Sequence, residues 1–266
     1  MGYYRTIWWG NMEFLVSAST DAGLVKENNQ DSLMVKVLSI DGQNVCLAVL
    51  CDGVGGLSKG ELASSTMVKA FDRWFVERFP QIVYADDLQE TLKSDWNKLL
   101  YIYNQKIRDY GQAQHLTLGT TVTALLLWND HYYALNVGDS RSYEIKDGLR
   151  QITKDQTIVN YELENGMITP EQAENDSRKN ILLQCVGASE TLLPDHFAGD
   201  VVTGTAFLLC SDGFRHLITS GEILDRFHPS VIDSVETMKR GELELIELNK
   251  ARMEKDNISV ITIKVF

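Results

Sequence analysis

The fold is decided by the stretch Ser32-Leu-Met-Val-Lys-Val-Leu-Ser-Ile-Asp-Gly-Gln-Asn-Val-Cys-Leu-Ala-Val-Leu-Cys51. It predicts two strands, Ser32–Leu38 and Gln43–Leu50, because both segments are rich in Val, Leu and Met. Asp41-Gly42 lies between them, and both residues tolerate the positive φ of a tight type I′ turn, so the pair is a strong hairpin signal. The two strands are therefore expected to pair in an antiparallel sheet.

Strand-like patterns continue on both sides of this hairpin. The further predicted strands are Glu13–Ser19, Thr120–Trp128, Tyr132–Val137, Ser142–Ile145, Leu149–Ile152, Ala206–Cys210 and Asn257–Phe266. Asn129-Asp130 and Asp147-Gly148 separate some of them in the manner of hairpins. The last strand is largely apolar on both faces, which is typical of a strand covered on both sides.

Helical patterns come in sequential pairs. Apolar residues recur at helical spacing from Met67 to Phe79 and again from Leu88 to Ile107. A further helical region spans much of 219–253, and Gly241 is predicted to interrupt it. Because a helix does not follow each strand, a doubly wound parallel sheet is disfavoured. The sequence therefore predicts an α+β sandwich with sheets inside and helices outside.

The net negative charge of the chain bears on which partners it can bind. With 25 Lys plus Arg against 37 Asp plus Glu, the 266 residues carry a formal charge of −12. This excess argues against a nucleic-acid partner or an anionic membrane surface, since both need concentrated positive charge. The longest apolar run has seven residues, Val45–Cys51, whereas a membrane-spanning helix needs about twenty. No membrane association is expected.

Cysteine usage and the N-terminus indicate the compartment. No C-x-x-C pair occurs, and the N-terminus lacks the apolar stretch of a secretory signal. The cysteines are therefore predicted to be buried, reduced thiols of a cytoplasmic protein. They are Cys46, Cys51, Cys185 and Cys210.

Aspartates stand at the ends of several predicted strands. Asp31 and Asp256 come just before strands, and Asp52 and Asp212 come just after strands. Each alone could be a turn residue, because Asp favours turns. Several carboxylates brought to one edge would repel each other unless cations neutralised them, and Mg²⁺ or Mn²⁺ does so with oxygen ligands. The sequence therefore favours a metal site.

Other chemical motifs are weak. The loop Asp52–Gly60 has four glycines in nine residues, which lets its backbone approach a ligand closely, but it fits neither the P-loop nor the dinucleotide pattern. The five histidines show no zinc-binding spacing, and no G-x-S-x-G nucleophile motif occurs. Each histidine is therefore expected to be a surface or packing residue.

Eight segments in order resemble the metal-dependent Ser/Thr protein phosphatases of the PP2C (PPM) family, in their short bacterial form. Any one segment is weak, but their order over nearly the whole chain is highly specific. They are Thr20–Ser32, Cys51–Gly56, Leu118–Thr123, Val137–Arg141, Ile152–Asp155, Asn165–Ala173, Leu209–Gly213 and Lys255–Val260.

The resemblance implies a fold and a metal centre. The fold would be a four-layer αββα sandwich, with two central antiparallel sheets flanked by helix pairs. Two Mn²⁺ or Mg²⁺ ions would be bound by Asp31, Asp52, the backbone carbonyl of Gly53, Asp212 and Asp256. A hydroxide bridging the two ions would attack the phosphorus of phosphoserine or phosphothreonine in a protein. No covalent phosphoenzyme is then needed.

The chain departs from the family pattern at three places. Lys26 stands where the family has a phosphate-binding arginine, so a point charge replaces a two-pronged contact. Val54 stands where many eukaryotic members have a histidine, which leaves the general acid unassigned. The stretch Gln114–Leu118 has no carboxylate for a third ion, so the resemblance does not support one. Asp139-Ser-Arg141 is predicted to be a turn braced by an Asp–Arg contact.

The predicted organisation is a tail at 1–12 and one phosphatase domain at 13–266, with a flap subdomain at about 155–189. The resemblance implies phosphorylated protein substrates, including a Ser/Thr kinase and its targets, and a monomeric enzyme that opposes such kinases. Two alternatives stay open. The chain could be a non-catalytic regulatory or phosphoprotein-binding module of the same fold, or a phosphomonoesterase for small molecules, since the fold does not decide the substrate.

Overall fold

The predicted hairpin organises one of two sheets in the computed structural model, which describes residues 11–54 and 59–266. β2 (Ser32–Ile40) pairs antiparallel with β3 (Gln43–Cys51). Asp41 and Gly42 both have positive φ, 51° and 82°, as a type I′ turn requires. The tight turn fixes the register from Ile40 opposite Gln43 to Ser32 opposite Cys51.

The two sheets are both antiparallel and have five strands each. The sheet that contains the hairpin, here called the hairpin sheet, has the order β2-β3-β4-β5-β8. Its other strands are β4 (Val122–Trp128), β5 (His131–Val137) and β8 (Asp195–Asp200). The second sheet, here called the terminal sheet, has the order β1-β10-β9-β6-β7. Its strands are β1 (Phe14–Asp21), β6 (Arg141–Ile145), β7 (Leu149–Gln151), β9 (Ala206–Cys210) and β10 (Ile258–Val265).

Helices cover the outer face of each sheet. α1 (Gly60–Glu77), the short α2 (Phe79–Ile82) and α3 (Leu88–Gln114) lie on the hairpin sheet. Four further helices are α4 (Ile158–Glu164), α5 (Pro170–Glu174), α6 (Asp212–Arg215) and α7 (Ser220–Phe227). α7 and the last helix, α8 (Val235–Ala251), pack on the terminal sheet. The predicted αββα sandwich is confirmed.

The uninterrupted apolar run of β3 is explained by its position between two buried layers. Val45, Leu47 and Val49 face the helices, whereas Cys46, Ala48 and Leu50 belong to the core between the sheets. A strand that is covered on both faces needs apolar side chains at successive positions rather than at alternate ones. All of these side chains are fully buried, so the strand is a rigid support for the residues at its end.

Two features of the fold differ from the prediction. β8 was not predicted, because His196 and Asp200 break the apolar pattern of this strand at the sheet edge. The predicted interruption at Gly241 is wrong, since α8 runs through it and the helical region divides at 228–234 instead. A Cβ at Gly241 would lie 3.2 Å from the ring of Phe227, so the glycine lets α8 approach α7 closely.

The region predicted as a flap contains α4, α5 and connecting loops. Arg178 joins its two halves by ion pairs with Glu162 and Asp176, each 2.7 Å long. A cavity of about 450 Å³ lies between α4 and the segment 191–195, and Asp155 is among its lining residues. The flap boundaries at 155–189 stay a prediction, as do those of the domain, and most of the predicted tail (1–10) lies outside the described residues.

Two further predictions concern membranes and thiols. None of the helices in the described part of the chain is long and apolar enough to cross a membrane. The four cysteines are all buried and unpaired, as predicted.

Candidate metal centre

The four predicted aspartates lie at one edge of the sandwich. Asp31 immediately precedes β2 and Asp52 immediately follows β3, and the adjoining residues Ser32 and Cys51 are cross-strand partners. On the terminal sheet, Asp212 follows β9 and Asp256 precedes β10, where these two strands pair. Antiparallel pairing therefore places the end of one strand beside the start of its neighbour, and each sheet contributes two carboxylates.

Asn257 joins the two sheets at this edge. Its side-chain oxygen accepts a hydrogen bond from the backbone N–H of Gln30 at 2.9 Å. Its amide group donates to the carbonyls of Ala22 and Asn28 at 2.9 and 3.2 Å. Because Asn257 is 3% exposed and follows Asp256 directly, these bonds fix the segment before Asp31 against the segment of Asp256.

The backbone around Asp52 is held by the Gly-Thr-Thr segment. The hydroxyl of Thr120 and the N–H of Thr121 both donate to the Asp52 carbonyl, at 2.9 and 2.8 Å. The N–H of Asp52 donates to the hydroxyl of Thr121 at 3.0 Å. Gly53 lies so close to Gln30 that a Cβ there would be 2.6 Å from the Gln30 carbonyl oxygen. The Asp52 backbone is therefore fixed, and residues 55–58 of the glycine-rich loop lie outside the described residues.

The carboxylates lie close enough for their charges to raise each other's pKa. Burial raises the pKa of Asp31 to about 7, and the charges of Asp212 and Asp256 add to this shift. Burial also raises the pKa of Asp52 well above its ordinary value, and the negative charges of its neighbours reinforce the shift. Those neighbours are Asp31, Asp212, Asp139 and Asp256.

Asp139 is a member of this acidic cluster that the sequence analysis left out. Burial, followed by the charge of Asp212, raises its pKa to about 7. The predicted contact between Asp139 and Arg141 is wrong. Arg141 makes a two-pronged pair with Asp155, with both bonds 2.7 Å long, and Arg215 lies 3.6 Å from the Asp139 carboxylate. The sequence does contain a signal for Asp139, because it stands just beyond the end of the apolar strand β5, as Asp52 stands at the end of β3.

Besides Arg215, Lys26 and His216 border the cluster. Lys26, predicted to bind phosphate, lies with its Nζ 3.1 Å from Asp256 Oδ1, and both side chains are partly exposed. His216 lies one helical turn after Asp212, with its Nε2 3.6 Å from Asp212 Oδ2. The expectation that every histidine is a surface or packing residue stays a prediction, and His216 is the histidine that lies beside a carboxylate of the cluster.

The chemistry of these residues fits divalent cations. Both carboxylate oxygens of Asp31 are buried and make no hydrogen bond to any residue that the structure describes, which is costly for a charged group unless a cation compensates it. Oxygen donors of this kind suit Mg²⁺ and Mn²⁺. Within 11–54 and 59–266, no three Asp, Glu, His or Cys side chains are already grouped as the ligands of one ion. The cluster therefore matches a divalent cation in its negative charge and its oxygen donors. The aspartate side chains would have to rotate to bind one ion together.

The raised pKa values predict how the metal-free protein responds to pH. Because Asp31, Asp52 and Asp139 bind protons more tightly in the folded than in the unfolded chain, stability falls as pH rises from about 5 through 7. His196, whose pKa is lowered by burial, opposes this trend up to about pH 6.5, but it is one group against three. In chelator, we expect the unfolding midpoint to fall by more than about 5 °C.

Thermal scans from pH 5 to 7.5 check this expectation. Asp31→Asn should remove part of the pH dependence, because a neutral amide cannot ionise in the buried position. Added Mn²⁺ should raise the midpoint more at pH 7.5 than at pH 5. A midpoint that rises steadily with pH in chelator would contradict the clustering of carboxylates.

Comparisons with known proteins agree with this geometry. The family model described as Protein phosphatase 2C matches residues 24–249. The protein phosphatase PhpP of Streptococcus pneumoniae is 31% identical over 229 residues, covering 85% of this chain and 89% of PhpP. The structure of the S. agalactiae serine/threonine phosphatase superposes with a TM-score of 0.78 at 27% identity, covering 96% of this chain and 100% of the other.

A further similar structure contains metal. The catalytic domain of the serine/threonine protein phosphatase PstP, solved in complex with 2 manganese ions, has a TM-score of 0.74 and 28% identity, and the match covers 96% of this chain and 99% of that domain. The chain belongs to the protein phosphatase 2C family. The predictions of a PP2C-type enzyme and of protein serine/threonine phosphatase function are confirmed.

Proposed function

We propose that this chain hydrolyses phosphoserine and phosphothreonine in proteins with the aid of two divalent cations, Mn²⁺ or Mg²⁺. The ligands would be Asp31, Asp52, the carbonyl of Gly53, Asp212 and Asp256. The observation that carries the proposal is the buried Asp31 carboxylate, which has no hydrogen bond within 11–54 and 59–266 and is repelled by Asp212 and Asp256. Family membership and the two manganese ions of PstP support the same centre.

Asp52 and Lys26 would serve phosphate binding at the edge of the sandwich where the aspartates lie. When bound, divalent cations supply water activation near neutral pH and charge stabilisation on the phosphoryl oxygens. Burial and the charges of the other four aspartates of the cluster raise the pKa of Asp52, and the backbone of Asp52 is held by Thr120 and Thr121. Lys26 stands at the partly exposed border, where its ammonium group can contact phosphate after leaving Asp256.

The cysteines do not offer an alternative nucleophile. Burial raises the pKa of each thiol, to about 11 at Cys185 and about 12 at Cys210, and well above the ordinary value at Cys51. Thiolate is the nucleophilic form, so these residues stay protonated and unreactive near neutral pH. This supports direct hydrolysis without a cysteinyl phosphate.

Asp139 is a carboxylate that could take part in binding a third ion. A carboxylate is missing from Gln114–Leu118, but Asp139 supplies one beside Asp212 from another segment. Arg215 already provides positive charge there, since its guanidinium also donates to the Asp139 carbonyl at 3.1 Å. We therefore retain two ions in the proposal, because a third at Asp139 would meet the repulsion of Arg215.

Substitution of Lys26 tests the phosphate contact. We expect Lys26→Ala to lower kcat/KM for a phosphothreonine peptide by about 10- to 100-fold, mainly through KM, since it removes a charged contact to phosphate. Lys26→Arg should retain activity and lower KM, because a guanidinium can contact two phosphate oxygens.

Steady-state kinetics with Mn²⁺ in excess measure both variants. The matched control is Lys36→Ala, which removes another lysine paired with an aspartate, Asp72, on the outer helical side of the hairpin sheet. This control should leave kcat and KM unchanged. Equal activity of Lys26→Ala and the unaltered chain would remove Lys26 from the site.

The proposed function itself is tested with two substrates. Turnover of a phosphothreonine peptide and of a chromogenic aryl phosphate is measured with Mn²⁺ and then with chelator. We expect Mn²⁺-dependent turnover of the peptide, which chelator abolishes. Metal binding without turnover of any phosphoester would favour the non-catalytic module, and turnover of small phosphate esters with none of peptides would favour the small-molecule phosphomonoesterase.

The proposal extends to the setting of the enzyme. We place it in the cytoplasm as a monomer that opposes a Ser/Thr kinase and dephosphorylates the kinase and its targets. The unpaired buried thiols support a reducing compartment, and the net charge of −12 gives no basis for an anionic membrane or nucleic-acid partner. Light scattering on purified protein tests the monomer, and a mass of two chains would reject it.

A further inference from the structure

His216 differs from the other four histidines in what surrounds it. Its Nε2 lies 3.6 Å from Asp212 Oδ2, which belongs to the acidic cluster, and its ring makes no hydrogen bond within the described residues. The other four, all described, lie elsewhere. His115 ends α3, His131 lies beside Asp130 and Asp200, His196 bonds to Asn97, and His228 bonds to Ser230.

The helix α6 fixes His216 relative to Asp212. The backbone N–H of His216 donates to the Asp212 carbonyl at 3.0 Å, so the two residues stand one turn apart on the same side of the helix. The His216 side chain is 22% exposed and that of Asp212 is 14% exposed. The ring is therefore held at the rim of the cluster with Nε2 toward the carboxylate.

Glu254 lies beside the other nitrogen of the ring. Its Oε2 lies 3.6 Å from His216 Nδ1, and its side chain is 8% exposed. Its Oε1 is fixed, because it accepts hydrogen bonds from the backbone N–H groups of Lys255 at 2.7 Å and Asp256 at 3.0 Å. A buried carboxylate on one imidazole nitrogen, with the other nitrogen facing metal-binding groups, is the usual environment of a histidine metal ligand.

We propose that His216 is a nitrogen ligand of the cation that Asp212 holds, with Glu254 orienting its ring. This inference rests on the proposed cation centre. Two ligand atoms at right angles around one ion lie about 3 Å apart, so the 3.6 Å between His216 Nε2 and Asp212 Oδ2 needs only a small rotation.

A nitrogen ligand alters which metal the site prefers. Mg²⁺ is bound by oxygen ligands, whereas imidazole suits transition-metal ions. His216 therefore raises the affinity for Mn²⁺ relative to Mg²⁺ at the position of Asp212. If His216 were only a positive counter-charge for Asp212, it would not bind the metal and would show no such preference.

Pulsed electron paramagnetic resonance on the Mn²⁺-loaded full chain tests the proposal directly. We expect coupling of Mn²⁺ to a directly bound imidazole nitrogen, and its loss in His216→Asn. The ratio of Mn²⁺ to Mg²⁺ affinity, from competition titrations, should fall about tenfold in this variant. Glu254→Gln should keep the nitrogen coupling but weaken Mn²⁺ binding by about tenfold or more.

His131, which also lies beside two carboxylates, provides the matched control. His131→Asn alters a ring that lies 3.3 Å from Asp130 and 3.1 Å from Asp200, at a site away from the cluster. It should keep both the nitrogen coupling and the metal preference. Chain labelled with ¹⁵N-histidine gives an independent measurement without substitution, because the coupling pattern must change if the ligand is a histidine.

The outcomes separate this inference from the proposed function. Mn²⁺ that binds without nitrogen coupling, or with coupling that persists in His216→Asn, overturns the ligand role and leaves the centre in place. Failure of the unaltered chain to bind Mn²⁺ overturns both. If His216→Asn does not fold, the ¹⁵N-labelled chain still decides, since an unchanged spectrum rejects a histidine ligand.

Discussion

Asp52→Asn is expected to abolish Mn²⁺-dependent hydrolysis of a phosphothreonine peptide, with kcat reduced by about 10³-fold or more. Asparagine has nearly the shape of aspartate and leaves the backbone bonds with Thr120 and Thr121 intact. It removes the carboxylate charge that four other aspartates surround, and with it the attraction for cations. Steady-state kinetics over a range of Mn²⁺ concentrations measure the loss.

Stability should change in the opposite direction. The pKa of Asp52 is raised in the folded chain, so its ionised form destabilises the metal-free protein at pH 7.5. A neutral amide removes that repulsion, and the variant in chelator should unfold at a higher temperature than the unaltered chain. Loss of activity together with a gain in metal-free stability cannot arise from misfolding.

Asp41→Asn is the matched control for this charge change. Asp41 occupies the hairpin turn with φ of 51°, a conformation that asparagine also adopts readily. This variant should keep full activity and an unchanged response to Mn²⁺. If Asp52→Asn kept substantial Mn²⁺-dependent activity, Asp52 could not be a ligand shared by the proposed centre.

The layers of the fold could be predicted because their signals are local. The Asp41-Gly42 turn and the apolar run of β3 lie within one stretch of twenty residues, and pairing in register follows from them. Gly241 shows the limit of such reasoning. Gly241 does not break α8 but lets the helix pack closely against Phe227. The sequence around Gly241 does not reveal this contact.

The acidic cluster could be predicted where strand ends carry aspartates, and its ion pairs could not be predicted where the partner is distant in sequence. Asp139 was matched with Arg141, two residues away, but Asp155 takes Arg141 and Arg215 lies against Asp139 from 76 residues along the chain. The 25 basic and 37 acidic residues offer many possible pairs, and only the folded chain selects among them. The approach of Glu254 to His216 could not be predicted for the same reason, because Glu254 lies on a different loop.

Gly213→Ala is expected to reduce both activity and stability. A Cβ at this position would lie 2.2 Å from the carbonyl oxygen of Asn257 and 3.2 Å from the Cβ of Asp256. The nearest obstacle is backbone, which cannot rotate away as a side chain can. Either α6 or the Asp256 segment must therefore shift, and the separation of Asp212 from Asp256 changes with it.

The expected magnitudes follow from this displacement. A shift of about 1 Å in a catalytic constellation lowers kcat/KM by about 100-fold, and overpacking of this kind costs about 1–3 kcal/mol of unfolding free energy. Denaturant titrations and kinetics with Mn²⁺ measure the two effects. The control is Gly148→Ala, where a Cβ would meet nothing within 4 Å, and it should change neither quantity.

Comparison of the two variants separates charge from geometry at the centre. Asp52→Asn removes a charge without moving the backbone, so activity falls while metal-free stability rises. Gly213→Ala keeps every carboxylate but changes the separation of Asp212 from Asp256, so activity and stability fall together, and extra Mn²⁺ should restore only part of the activity. A Gly213→Ala variant with unaltered stability and kinetics would show that the close approach of α6 to the Asp256–Asn257 segment does not set the distance between Asp212 and Asp256.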